Sequence, residues 1–110
     1  VKLPNAAQAV VDLIKLRDYC LSSTHPRGRH KARVFADALG INAGDAEYLR
    51  DVLLRAALME DAMRTDQDEY GQRYQLDVVV TRSGKTVIVR SAWIVLRHED
   101  VPRLTTCYVL

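Results

Sequence analysis

The stretch Arg73-Tyr74-Gln75-Leu76-Asp77-Val78-Val79-Val80-Thr81-Arg82-Ser83-Gly84-Lys85-Thr86-Val87-Ile88-Val89-Arg90-Ser91-Ala92-Trp93 decides the class of fold. Tyr74, Leu76, Val78 and Val80 alternate with Arg73, Gln75 and Asp77, so every second side chain is apolar. That period of two is a strand with one face turned inward. Ser83-Gly84 then supplies the backbone freedom of a tight hairpin, and a β-rich run follows from Thr86 to Leu96.

Outward from this hairpin, His98 to Pro102 reads as a second turn and Leu104 to Val109 as a last strand. Toward the N-terminus the period becomes helical. The longest helix is expected from about Asp45 to Ala62, with Leu49, Val52, Leu53 and Ala56 inward and Arg50, Asp51 and Arg55 toward solvent. Before it, a helix from about His30 to Leu39 carries Ala32, Phe35, Ala36 and Leu39 as its apolar stripe, and Gly40 is placed to cap it. A first helix runs from Leu13 to Leu21, capped by Asp12. Ala9-Val10-Val11 reads as a short strand or a helix start, and polar, acidic Met63 to Glu69 as loop. The layout is α+β, with about three N-terminal helices packed on a C-terminal antiparallel sheet of three to four strands. Residues 1–110 form one domain, with a helical part of about 9–62 and a sheet part of about 72–110.

Bulk composition agrees with a folded domain. The 110 residues are 48% hydrophobic and 27% charged, which excludes a disordered or collagen-like chain. A net charge of +2 is too small to imply nucleic acid by itself, but the charge is unevenly placed. Arg27, Arg29, Lys31 and Arg33 fall within 25–33 with no acid, whereas Glu60, Asp61, Asp66, Asp68 and Glu69 face only Arg64 within 60–69. No signal peptide, lipidation motif or long apolar run is present, so no membrane association is expected. Cys20 and Cys107 fit no metal or redox spacing and read as small buried thiols, with a disulfide left open.

The densest chemistry is His25-Pro26-Arg27-Gly28-Arg29-His30-Lys31. Pro26 and Gly28 shape a turn, and His30-Lys31 open a helix whose unpaired N–H groups and dipole suit a phosphate. The imidazole of His25 or His30 suits proton transfer. The same residues also suit a solvated basic loop, and both readings stay open. His25, His30 and His98 lack metal-ligand spacing, so no metal is expected, and neither a Walker loop nor a G-x-S-x-G turn occurs. Arg90, in mid-strand, reads either as a phosphate contact beside Trp93 or as a surface cation bridged to Asp77.

Three groups of residues, taken in order, carry a family resemblance. They are Lys15-Leu16-Arg17-Asp18-Tyr19-Cys20-Leu21 with His25 to Ala32, Phe35 and Leu39-Gly40; Glu69-Tyr70-Gly71 with Tyr74; and Val89-Arg90-Ser91-Ala92-Trp93 with Asp100-Val101-Pro102-Arg103, Thr105 and Tyr108. Together they resemble a bacterial family of uncharacterised domains found alone and at the C-termini of polymorphic toxins. Its layout is similar to the barnase/EndoU/colicin/RelE-like group of ribonuclease toxins, an analogy of architecture. The resemblance implies metal-independent endonucleolytic cleavage of RNA by general acid/base catalysis, without a cofactor. It implies catalytic roles for His25, Lys31, Arg90 and Thr105, and RNA contacts from Arg27, Arg29, His30, Tyr70, Trp93 and Thr106. It also implies a cognate antitoxin or immunity protein, and action in the cytoplasm after delivery as part of a secreted protein. A non-catalytic module whose 25–33 segment docks an acidic partner is the alternative, and the oligomeric state stays open.

Overall fold

The computed structural model describes residues 1–110. After a 3-10 turn at Ala6–Gln8, α1 (Leu13–Lys15) runs directly into a π-helical turn at Leu16–Cys20. Asp12 starts α1 as expected, its carboxylate accepting from Ile14 N and Lys15 N. α2 spans Arg29–Leu39, and Gly40 ends it at φ 67°, the left-handed conformation a Cβ would strain. A 3-10 turn at Ala43–Asp45 leads into α3 (Ala46–Met59), its entry fixed by a capping box between Asn42 and Asp45. Four strands follow, β1 (Met63–Gln67), β2 (Gly71–Arg82), β3 (Lys85–Leu96) and β4 (Pro102–Val109), antiparallel and in sequence order.

The hairpin that decided the class is observed in register, with Tyr74 opposite Trp93, Leu76 opposite Ser91 and Asp77 opposite Arg90. Ser83 and Gly84 both take positive φ, as a two-residue hairpin of this hand requires. The inward side chains of β2 and β3 meet Phe35 and Leu39 from α2 and Leu49 and Leu53 from α3 in one buried cluster. At its centre the Trp93 indole N–H donates to Ser91 Oγ at 2.9 Å, and the Ser91 hydroxyl donates to Leu76 O at 3.0 Å. Both polar groups are thereby satisfied inside the core.

Two expectations change. Met63 to Glu69 is not all loop, because Met63–Gln67 pairs with β2. All five β1 side chains are exposed, so no apolar alternation marked the strand. Ala36 does not join the apolar stripe of α2; it is exposed on the flank beside Arg29 and Arg33. The ambiguous Val10 makes a single parallel bridge to Arg103, donating its N–H to Pro102 O and accepting from Leu104 N. That bridge covers part of the outer edge of β4.

Candidate functional site

Segment 25–28 is a tightly bonded turn. His25 Nδ1 accepts from Arg27 N at 3.0 Å and Gly28 N at 3.1 Å, and His25 N donates to Ser22 Oγ. The imidazole also meets Tyr19 edge-on, with ring centroids 4.7 Å apart. Gly28 is needed here, because a Cβ would lie 2.1 Å from the Tyr19 carbonyl oxygen. With Nδ1 serving as acceptor, the neutral ring carries its proton on Nε2, which remains its free polar group. Proton transfer through Nδ1 requires the turn to open first.

His25 lines an open concavity of about 420 Å³ with Lys15, Tyr19, Arg27 and Thr105. Thr105 sits where the β3–β4 register shifts, between the pairs Ala92–Thr106 and Trp93–Leu104. Its hydroxyl donates to Ala92 O at 3.1 Å. Three positions along β4, roughly 10 Å for an extended strand, Tyr108 lies opposite Arg90. The Lys31 ammonium stands 4.7 Å from the Tyr108 ring centroid, a cation–π contact across from α2. Arg90 also holds Asp77 in a two-pronged pair, Nε to Oδ1 at 2.9 Å and Nη2 to Oδ2 at 3.0 Å. That pair, then the Tyr108 hydroxyl, keeps the guanidinium more firmly protonated than a free arginine. Lys31 and Arg90 thus come together on Tyr108, and His25 comes together with Arg27 and Thr105, all along the α2–β4 seam.

Other expected contacts fall elsewhere. Trp93 is fully buried and offers no face to a nucleobase, since its ring fills the core and its N–H is bonded. The Thr106 hydroxyl is also buried, beside the Cys20 thiol and away from the surface. Tyr70 is exposed, but it lies beside Arg97, His98 and Glu99 at the far end of β2. Gly71 to Asp77 spans about 20 Å of strand, which separates Tyr70 from Arg90. His30 is exposed in the first turn of α2. Arg29 is exposed on the flank of α2 that faces away from Lys31, about 200° around the helix. Tyr108 is the residue that the site reading missed. In the sequence it stood among the residues that carry the family resemblance, but an aromatic in a last strand reads as packing and no role was drawn from it.

Cys20 and Cys107 are free and buried between the π turn and β4. A hydrogen bond shared with Cys20, reinforced by burial, raises the Cys107 thiol above its ordinary value. The same bond, received from Cys107, lowers Cys20 to about 6 against the opposing effect of burial. No three His, Cys, Asp or Glu side chains gather into a metal-ligating group. No helix is long and apolar enough to cross a membrane.

Fold and seam together define a small α+β domain with a helix-borne lysine and a strand-borne arginine meeting on a tyrosine at the sheet edge. Over residues 2–110 the chain matches the family described as a domain of unknown function, DUF6883, and it belongs to that family. Among curated proteins none matches the sequence. The fold is similar to that of a chain in a solved contact-dependent growth inhibition toxin–immunity protein complex from Klebsiella pneumoniae 342. The TM-score is 0.72 at 16% identity, over 92% of this chain and 99% of that one. At that identity the likeness is one of fold.

Proposed function

We propose that this domain is a toxin-type endoribonuclease that cleaves RNA phosphodiester bonds with its own side chains. The observation that supports this reading best is the meeting of Lys31 and Arg90 on Tyr108, from two elements far apart in sequence. A phosphodiester at the seam receives two fixed cations where charge grows on its non-bridging oxygens during displacement. The 2′ oxygen attacks phosphorus as its proton passes to a base. The bond from phosphorus to the 5′ oxygen then breaks, and the leaving oxygen takes a proton from an acid. The products are a 2′,3′-cyclic phosphate and a 5′-hydroxyl. His25 through Nε2 and the Tyr108 hydroxyl are the protic groups of the seam, and Thr105 and Arg27 flank it as phosphate contacts. A cognate immunity protein covering this seam is the expected inhibitor, in keeping with the complex in which the similar fold occurs.

The test incubates purified protein with total RNA, with and without EDTA, and analyses the product ends. Cleavage in both conditions with cyclic phosphate ends is expected. Lys31→Ala should lower the rate about 10²–10³-fold, the usual loss when one stabilising donor is removed. Intact RNA after long incubation, with the fold verified by circular dichroism, overturns the proposal.

A second reading has its own observation. His25 Nδ1 is spent on the turn and Arg90 on Asp77, the arrangement of residues that shape a surface. On that reading the 25–33 segment docks an acidic partner protein. Lys31→Ala then weakens partner capture, and RNA stays whole with the wild type as well.

A further inference from the structure

The seam uses one flank of α2; the opposite flank borders a second hollow. About 750 Å³ of open concavity lies between α2, the π turn and the loop that precedes α3. Arg29 and Arg33, one helical turn apart, rise from its α2 wall, and Arg17 rises from the π turn. Neither Arg29 nor Arg33 has an acidic partner, and the one acid in the lining, Asp18, is paired with Arg17 at 3.1 Å. Among these cations the α2 wall shows the exposed methyl of Ala36, backed by the buried Ala32, Leu21 and Ile41, and Ser22 to Thr24 and Asn42 complete the rim. Ala36 is the exposed alanine that the helical period had placed in the core.

We propose that this hollow is a nucleotide subsite for single-stranded RNA, with a base on the Ala36 wall and its phosphates on Arg29 and Arg33. The inference rests on the ribonuclease reading and extends it from one scissile phosphate to a path. An apolar bed with a few convergent charged groups is the usual make-up of a small-ligand site, and a flat base needs no more than an apolar surface. Arg33, Arg29, Arg27 and Lys31 form a band that wraps the N-terminal turns of α2, so one strand reaches both flanks. The helix between them is about 10 Å across. A duplex is too stiff to bend around a single helix, which makes unpaired RNA the substrate class.

The probe is a fluorescein-labelled single-stranded RNA octamer, with 2′-O-methyl groups for binding and unmodified for cleavage. Arg29→Gln/Arg33→Gln should weaken binding on the order of tenfold or more. It should also reduce the slope of log affinity against log salt by about 1.4, the share of two phosphate contacts on a single strand. Ala36→Met, which fills the hollow at that wall and leaves every charge in place, should weaken octamer binding and leave binding of poly-glutamate unchanged. If wild type cleaves the octamer and the arginine variant keeps the wild-type slope, the subsite is overturned while the nuclease reading stands. If wild type neither binds nor cleaves the octamer, both are overturned. Poly-glutamate bound as tightly as the octamer, and lost in the same arginine variant, also overturns the subsite and makes the hollow a dock for an acidic protein. Thermal midpoints close to wild type verify the fold of both variants.

Discussion

The sheet has two edge strands, and they are treated in opposite ways. β1 is short, exposed at all five positions and irregularly paired, with a register shift between Arg64 and Gln67. β4 is half buried, carries Leu104 and Cys107 into the core, and has Val10 bridged to its outer side. The chemistry of the molecule follows the same division. Lys31, Arg90, Tyr108, His25 and Thr105 all lie along β4, whereas β1 holds no member of the candidate site. A covered edge fixes side chains against rigid neighbours, which is what a site acting on a small, charged target needs. An open edge leaves backbone groups to solvent and depends on polar side chains to deter unwanted pairing.

The contrast can be broken at its strongest point by truncation. Leu104→Ala should cost about 2–5 kcal/mol in urea denaturation, because the lost volume lies in packed core. Thr65→Ala in β1 should stay within about 0.5 kcal/mol. Equal costs at the two positions would mean that the edges are not different in kind. Next in size is Gly28→Ala. Its methyl meets the Tyr19 carbonyl at 2.1 Å, and relieving that contact should cost roughly 1–3 kcal/mol. The same change should loosen His25, read as a shift of its ring proton resonances; an unchanged His25 spectrum sinks the account of the turn.

The smallest effect concerns pH at the β1–β2 connection. Asp68 takes a hydrogen bond from Arg73 at 2.7 Å and others from Tyr70 N and Gly71 N, and these hold its carboxyl below the ordinary range. A carboxylate lowered in the folded state stabilises the fold above its unfolded value, and the contribution disappears as pH falls through the folded value. Acid below the usual carboxylate range should therefore move the Tyr70 and Gly71 amide resonances while Val10 and Leu104 stay in place. Simultaneous movement of all four would show that the two edges open as one.

What was legible follows from where signals are local. The β2–β3 hairpin, the Asp12 cap and the Gly40 stop are each written within a few residues, and all three are observed. β1 left no trace because a strand exposed on both faces has no apolar period to read. Ala36 misled because alanine has high helix propensity and little hydrophobic weight, so its place on the wheel did not reveal its surroundings. At the site, the sequence grouped His25 and Lys31 by charge, but the tyrosine joining Lys31 to Arg90 depends on strand register across the molecule. Nor did it separate Trp93 from the surface, since burial of an indole is decided by tertiary packing. His25 showed its titratable ring in the sequence; the two backbone donors on Nδ1 belong to the folded turn alone.

The position of β4 as the last strand carries a consequence in time. A chain is made from its N-terminus, and α2 exists long before Tyr108 does. Until residue 108 is added, Lys31 has no ring beneath it and Arg90 no neighbour on its outer side. Val10 likewise waits for Arg103. The helices and first three strands can gather early, while the seam is assembled only once β4 has been made, so a chain stopped before Tyr108 lacks the ring that brings its cations together.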